Sequence, residues 1–232
     1  MPPEAEGPVR VKICGLTVPE EARDSARAGA WAIGVVFAPE SSRRVDMDTA
    51  RRVLDAVPPG VARVGVFVDA TDDELRRAAA CGLTHVQIHG AAADVARARA
   101  ATGLEVILGV PFDGPEAALR ADDGDADLVL FDAAVPGRHG GTGRTLDWDV
   151  LAAHRPRRPL GLAGSHAGQR GGRRHRHGIP CWWMSRAGWS WRRAARTLEL
   201  VRAFIRAAHG RDPRAVRPVR WPLRARDGHR RN

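Results

Sequence analysis

A chain of 232 residues, 44% of them hydrophobic, suits one domain with a sizeable buried core. No leader-like apolar segment opens it and no stretch reaches a membrane span, while Cys14, Cys81 and Cys181 lie too far apart for a disulfide framework or a CxxC metal knuckle; a soluble cytoplasmic protein is expected. The net charge of +10 is split unevenly: residues 1–154 hold 16 basic against 24 acidic side chains, and residues 155–232 hold 21 against 3. An imbalance of that size ordinarily marks a tail for nucleic acid or membrane.

Val9–Cys14 reads as a first strand, and Pro19–Gly29 as a helix with Thr17 as cap and Gly29 as stop. Trp31–Phe37 is a second strand. Asp46–Ala56 follows as a helix, with Val45, Ala50, Val53 and Leu54 on one side. Strands at 62–68, 84–88, 104–110 and 127–131 alternate with helices at 71–81, 91–101 and 115–120. A helical turn is expected over 147–153, and Leu160–Ala163 begins a seventh strand. Strand–helix units repeating at about 25 residues argue for a parallel sheet. Nearly continuous apolar runs fit strands covered on both faces. With no dinucleotide-binding fingerprint, an α/β fold of the (β/α)8 barrel type is favoured over an open doubly wound sheet.

In such a barrel the residues at the carboxyl ends of the strands face one site. They are Cys14, Arg43 on the loop after the second strand, Asp69, Gln87 with His89, and Asp132, followed by the glycine-rich Gly140–Gly143. A thiol and a carboxylate across the mouth can act as base and acid on a small polar substrate. A nearby arginine can hold a carboxylate through paired hydrogen bonds. Each residue also has an ordinary reading: a packed cysteine, a helix-capping aspartate, a solvated arginine pair, a glycine turn.

Taken together, KICGLT, Ser41-Ser42-Arg43, GVFVD, HVQIHG, LVLFD and GGTGRTLDW closely resemble the phosphoribosylanthranilate isomerase family. The likeness runs in order over about two thirds of the chain, and KICG and GGTG followed by DW are its most specific parts. It implies a (β/α)8 enzyme of tryptophan biosynthesis that converts N-(5′-phosphoribosyl)anthranilate to the 1-deoxyribulose 5-phosphate by an Amadori rearrangement. No cofactor and no metal are implied, and the partner is a phosphorylated small molecule, with the protein a monomer or homodimer. The resemblance makes Cys14 the general base at C2′ and Asp132 the general acid at the ring oxygen. Arg43, Gln87, His89, Gly141, Gly143 and Gly164 are implied to bind substrate, Arg43 through the anthranilate carboxylate. The base then needs local donors that favour a thiolate, and the acid needs surroundings that keep it protonated. A related barrel isomerase of the histidine pathway would use two aspartates, and Cys14 argues against it.

The pattern breaks after Gly164. The family's loops after strands seven and eight, the latter of the form DVSSGVE, are expected to hold the substrate phosphate by backbone N–H groups. Instead Ser165–Thr197 has no acidic residue and four tryptophans. Trp and Met have single codons, so the bases under Trp182-Trp183-Met184 are known. Read from the third base of Trp182, and with a TC-type codon for Ser185, they spell Val-Asp-Val, and the following codons permit the rest of the missing motif. A different shift at Gly164 permits the loop after strand seven, and the original frame returns at Leu198 with an amphipathic helix. Several small insertions or deletions in a GC-rich gene account for this; Lys12, the only lysine among 37 basic residues, fits that base composition. Residues 1–208 are then one barrel domain with an aberrant 165–197, and 209–232, with eight Arg against two Asp, are a disordered read-through tail. A chain lacking a proper eighth strand would leave strands one and seven with open edges. It would have weak or absent activity and poor solubility.

The last third has two other readings. His175, His177 and Cys181 lack a fourth metal ligand. An Arg/Trp mixture could bind single-stranded nucleic acid by charge and stacking.

Overall fold

A computed structural model describes residues 10–133, 157–163, 181–186, 201, 202 and 205, with backbone alone at 133 and 181–186. The strands are β1 (Arg10–Cys14), β2 (Ala32–Val36), β3 (Ala62–Val68), β4 (His85–His89), β5 (Glu105–Phe112), β6 (Leu128–Ala133), β7 (Leu160–Ala163) and β8 (Cys181–Arg186). Between them run α1 (Pro19–Arg27), α2 (Met47–Asp55), α3 (Asp72–Ala79), α4 (Ala93–Thr102) and α5 (Glu116–Asp122). The eight strands pair in sequence order, all parallel, and β8 closes the sheet onto β1 as a barrel.

Alternation along each strand separates two cores. Val11, Ile13, Ile33, Val35, Val86, Val106, Leu108, Val129 and Phe131 face outward beneath the helices, joined by Ala50, Val53, Leu54, Leu75 and Ala98. Cys14, Ala32, Ala62, Val64, Val66, Ile107, Leu128, Leu130 and Ala163 fill the barrel itself.

Helix starts follow local chemistry. Asp46 caps α2 by accepting from the Thr49 N–H at 2.7 Å. Thr71 and Glu74 form a reciprocal capping box on α3, which holds the Glu74 carboxyl below its usual range. Thr17 does not cap α1. The cap position is Val18, without a side-chain bond, and Pro19 at the first turn has no N–H to satisfy.

The eighth strand corrects the expected open edges. Cys181–Arg186 pairs in parallel with both β7 and β1, Leu160 opposite Cys181 and Cys14 opposite Arg186. Strand pairing is a backbone interaction, so an extended segment of Cys, Trp and Met can complete the ladder without the family's side chains. Poor solubility argued from unpaired edges loses its basis. Val201 and Ile205 are helical and buried, four residues apart, and Ile205 Cγ2 lies 3.7 Å from the place of a β-carbon at Gly29, as the amphipathic terminal helix requires. The expected turn at 147–153, most of the aberrant segment and the tail lie outside the described residues.

At the amino end of the barrel, Arg10 stacks over Trp31 at 5.4 Å, Trp31 meets His85 edge-on at 5.9 Å, and His85 Nε2 lies 3.0 Å from Glu105 Oε2. The hydrogen bond from His85 holds the Glu105 carboxyl below its usual range, against the opposing effect of burial. A carboxyl lowered by folding lends stability that is complete above its unfolded-state value and is lost as pH falls through its folded-state value. Glu105→Gln is therefore expected to lower the urea midpoint at neutral pH, with the deficit shrinking as pH drops below the carboxylate range. A deficit of equal size at every pH would contradict this.

Candidate active site

Cys14 ends β1 and is 5% exposed. The chain turns sharply after it: Gly15 has a φ of 78°, and the N–H groups of Gly15 and Leu16 both donate to the Gly34 carbonyl, at 2.9 and 3.1 Å. A β-carbon at Gly34 would lie 2.8 Å from Cys14 Sγ and 3.1 Å from Lys12 Nζ. Glycine in mid-strand is what gives these two side chains space. Asp132 lies near the end of β6, in register with Ala163, and is 9% exposed. Its inner-face neighbours Leu128 and Leu130 share the interior core with Cys14, so acid and thiol lie on the same inner face of the barrel.

Arg43 reaches the same place from a folded-back loop. Its N–H donates to Ser41 Oγ at 3.2 Å, the Arg44 N–H donates to the Ser41 carbonyl at 3.0 Å, and Arg44 bridges Val36. The turn lays the Arg43 side chain on Gly15, where a β-carbon would meet Arg43 Cδ at 2.9 Å and Nη1 at 3.2 Å. The guanidinium is thus held beside the turn that carries Cys14. A guanidinium so placed can hold a carboxylate, and hydrogen bonds to a charged group are worth about 1.5–3 kcal/mol each. Arg43→Gln is expected to raise KM by about tenfold or more with a smaller change in kcat, read from initial rates over a range of substrate concentrations. An unchanged KM would remove Arg43 from the site.

Gln87 is 1% exposed on the inner face of β4, with its Nε2 2.8 Å from His89 Nε2. Its Oε1 is buried with no hydrogen-bond partner, an acceptor that a donor entering the barrel would satisfy. The His89 ring lies over Gly109, whose β-carbon would fall 2.6 Å from His89 Cε1. Asp69 follows β3 with a φ of 49° and is exposed, outside this buried group. Gly141, Gly143 and Gly164 lie outside the described residues, as do His175 and His177. Among the described residues no group of three or more His, Cys, Asp and Glu side chains could hold a metal, and no helix is long and apolar enough to cross a membrane.

Lys12 is not among the site residues expected from the sequence. It is fully buried, two residues before Cys14, and therefore on the same strand face. Strand alternation was the signal that could have found it. Gly34 and Gly109, set inside apolar runs, likewise pointed to close approaches.

Fold and site define a (β/α)8-barrel enzyme with its polar groups gathered at the carboxyl ends of the strands. A family model described as N-(5′-phosphoribosyl)anthranilate (PRA) isomerase matches residues 11–166. The isomerase of that name from Desulforamulus reducens is 41% identical over 158 residues, 67% of this chain and 74% of the relative. Its counterpart from Gloeobacter violaceus is 42% identical over 164 residues, 67% and 73% of the two chains. The crystal structure of phosphoribosyl anthranilate isomerase from Thermotoga maritima superposes with a TM-score of 0.73 at 31% identity, covering 86% of this chain and 98% of that one. Another, in complex with reduced 1-(o-carboxyphenylamino)-1-deoxyribulose 5-phosphate, gives 0.70 at 30% identity with the same coverage. The chain belongs to the N-(5′-phosphoribosyl)anthranilate isomerase family, enzymes of tryptophan biosynthesis. The two curated sequence matches each reach 67% of the chain and the structural ones 86%, which fits a backbone that continues the barrel past the last family-like residues.

Proposed function

We propose that Cys14 and Asp132 carry out the isomerisation of N-(5′-phosphoribosyl)anthranilate to 1-(2-carboxyphenylamino)-1-deoxyribulose 5-phosphate. The observation that carries this is their burial on the inner face of β1 and β6 at the carboxyl ends, with Arg43 packed on Gly15 beside them. Asp132 gives a proton to the furanose oxygen as the bond from that oxygen to C1′ breaks and the anthranilate nitrogen forms a C=N bond. Cys14, as thiolate, removes the C2′ proton, and the resulting enolamine becomes the ketone as C1′ takes up a proton and the 2′-hydroxyl gives up its own, replacing the proton spent on the ring oxygen. Hydrogen moves from C2′ to C1′, so the atoms balance without a cofactor or metal. Arg43 holds the anthranilate carboxylate. The unpartnered Gln87 Oε1 accepts from a sugar hydroxyl, with His89 fixing the amide.

The phosphate side is weaker. Gly141, Gly143 and Gly164 are proposed to touch substrate, but residues 165–197 lack the family's DVSSGVE pattern, and the family match ends at residue 166. Misplaced reading frames account for this stretch, and resequencing the gene tests them: an unambiguous read encoding these residues would remove the sequencing-error version. Weak turnover is expected from the chain as it stands, because remote phosphate binding supports the chemical step. The monomer or homodimer is inferred to work in the cytoplasm, where a free phosphorylated intermediate is passed between enzymes. Incubation with phosphoribosylanthranilate, with product followed by mass spectrometry, tests the assignment; no conversion above the uncatalysed rate would count against it.

A further inference from the structure

We infer that Lys12 is the positioning residue that activates Cys14: its ammonium, buried in the barrel wall, stabilises the thiolate that serves as base. The inference rests on Cys14 being that base. Lys12 Nζ and Cys14 Sγ approach one point, the empty β-carbon position of Gly34, at 3.1 and 2.8 Å, so they are no farther apart than the sum of those distances. Lys12 is 0% exposed, and Cys14 is 5% exposed. A thiolate is stabilised by a neighbouring cation, and a lysine tip held this close to the sulfur can supply one. Two residues on one strand face, and a glycine on the next strand that lets both tips in, form a built arrangement.

The charged groups that face the pair among the described residues come from four strands and one loop. β1 itself carries Arg10 toward the amino end, and β2 contributes only Ala32 and Gly34 beside it. Arg43 lies on Gly15. On the other side, β8 places Met184 in register with Lys12 and Arg186 in register with Cys14. Asp132 on β6 and His89 on β4 belong to the same mouth. A purely structural lysine would neutralise Asp132 or fill space, and would leave the thiol's reactivity alone.

Iodoacetamide alkylation of the full chain separates the two, because thiolate reacts and thiol does not. The rate is followed across pH at the Cys14 peptide by mass spectrometry, with buried Cys81 as the internal sign of unfolding. In the wild-type chain the Cys14 profile is expected to lie at lower pH than that of a blocked Ile-Cys-Gly-Leu peptide. In Lys12→Met it moves to higher pH, and the rate at neutral pH falls by about tenfold or more while Cys81 stays protected. A wild-type profile level with the peptide overturns the inference whatever the variant does, and so does an unchanged profile in folded Lys12→Met. Loss of turnover in Cys14→Ala tests the base itself. A thiolate displaced as expected with turnover surviving Cys14→Ala would sink the catalytic assignment and leave the Lys12–Cys14 pair standing.

Discussion

Replacing Cys14 by alanine is expected to lower kcat for isomerisation by about 10²–10⁴-fold, the usual contribution of a positioned general base. Asp132→Asn is expected to act on the same scale, since an amide cannot release the proton that the ring oxygen needs when its bond to C1′ breaks. Neither change should unfold the barrel. Cys14 ends its strand at the turn into α1, and Asp132→Asn keeps the shape of the side chain. Because the two groups serve one reaction path, the double variant should be little worse than the poorer single one. Thermal melting and the urea midpoint of each variant, measured beside the rates, separate lost chemistry from lost fold. A Cys14→Ala protein that melts like the parent and retains its rate would exclude the thiol as base.

A second large effect concerns the other side of the barrel. Joining residues 1–163 to the corresponding last third of the Desulforamulus reducens isomerase is expected to raise kcat/KM by about 10²–10⁴-fold over the present chain. The estimate follows from restoring about two hydrogen bonds to a charged phosphate, each worth about 1.5–3 kcal/mol, at about 1.4 kcal/mol per tenfold. The inner wall from β1 to β6 is unchanged in this chimera, so the gain isolates the phosphate loops. Equal kcat/KM in the two proteins would mean that the present residues 164–197 already hold the phosphate.

Much of this barrel was legible because local chemistry and fold agree. Val45, Ala50, Val53 and Leu54 were read as one helix side, and all four are buried. Asp132 and Cys14 were placed at strand ends by counting from apolar runs. β5 runs further than its apolar pattern suggested, through Pro111 to Phe112, because Pro111 sits near the strand's end opposite Asp132. β8 was illegible for a different reason. Its side chains carry no alternation and no family motif, yet pairing with β1 and β7 needs only an extended backbone of the right length. Lys12 was missed because, in a run read as a buried strand, a lysine looks like an end residue; its meaning depends on Gly34, a neighbour on the next strand. Arg43 was found as a motif, but its placement required Gly15 to have no side chain, which only the fold makes visible.

The most direct measurement compares kcat/KM for phosphoribosylanthranilate in three proteins: the present chain, the chimera, and the chimera carrying Cys14→Ala. The expected order is a weak present chain, a chimera about 10²–10⁴-fold faster, and a Cys14→Ala chimera that loses about 10²–10⁴-fold in kcat. Full turnover by the chimera without its thiol would contradict the account.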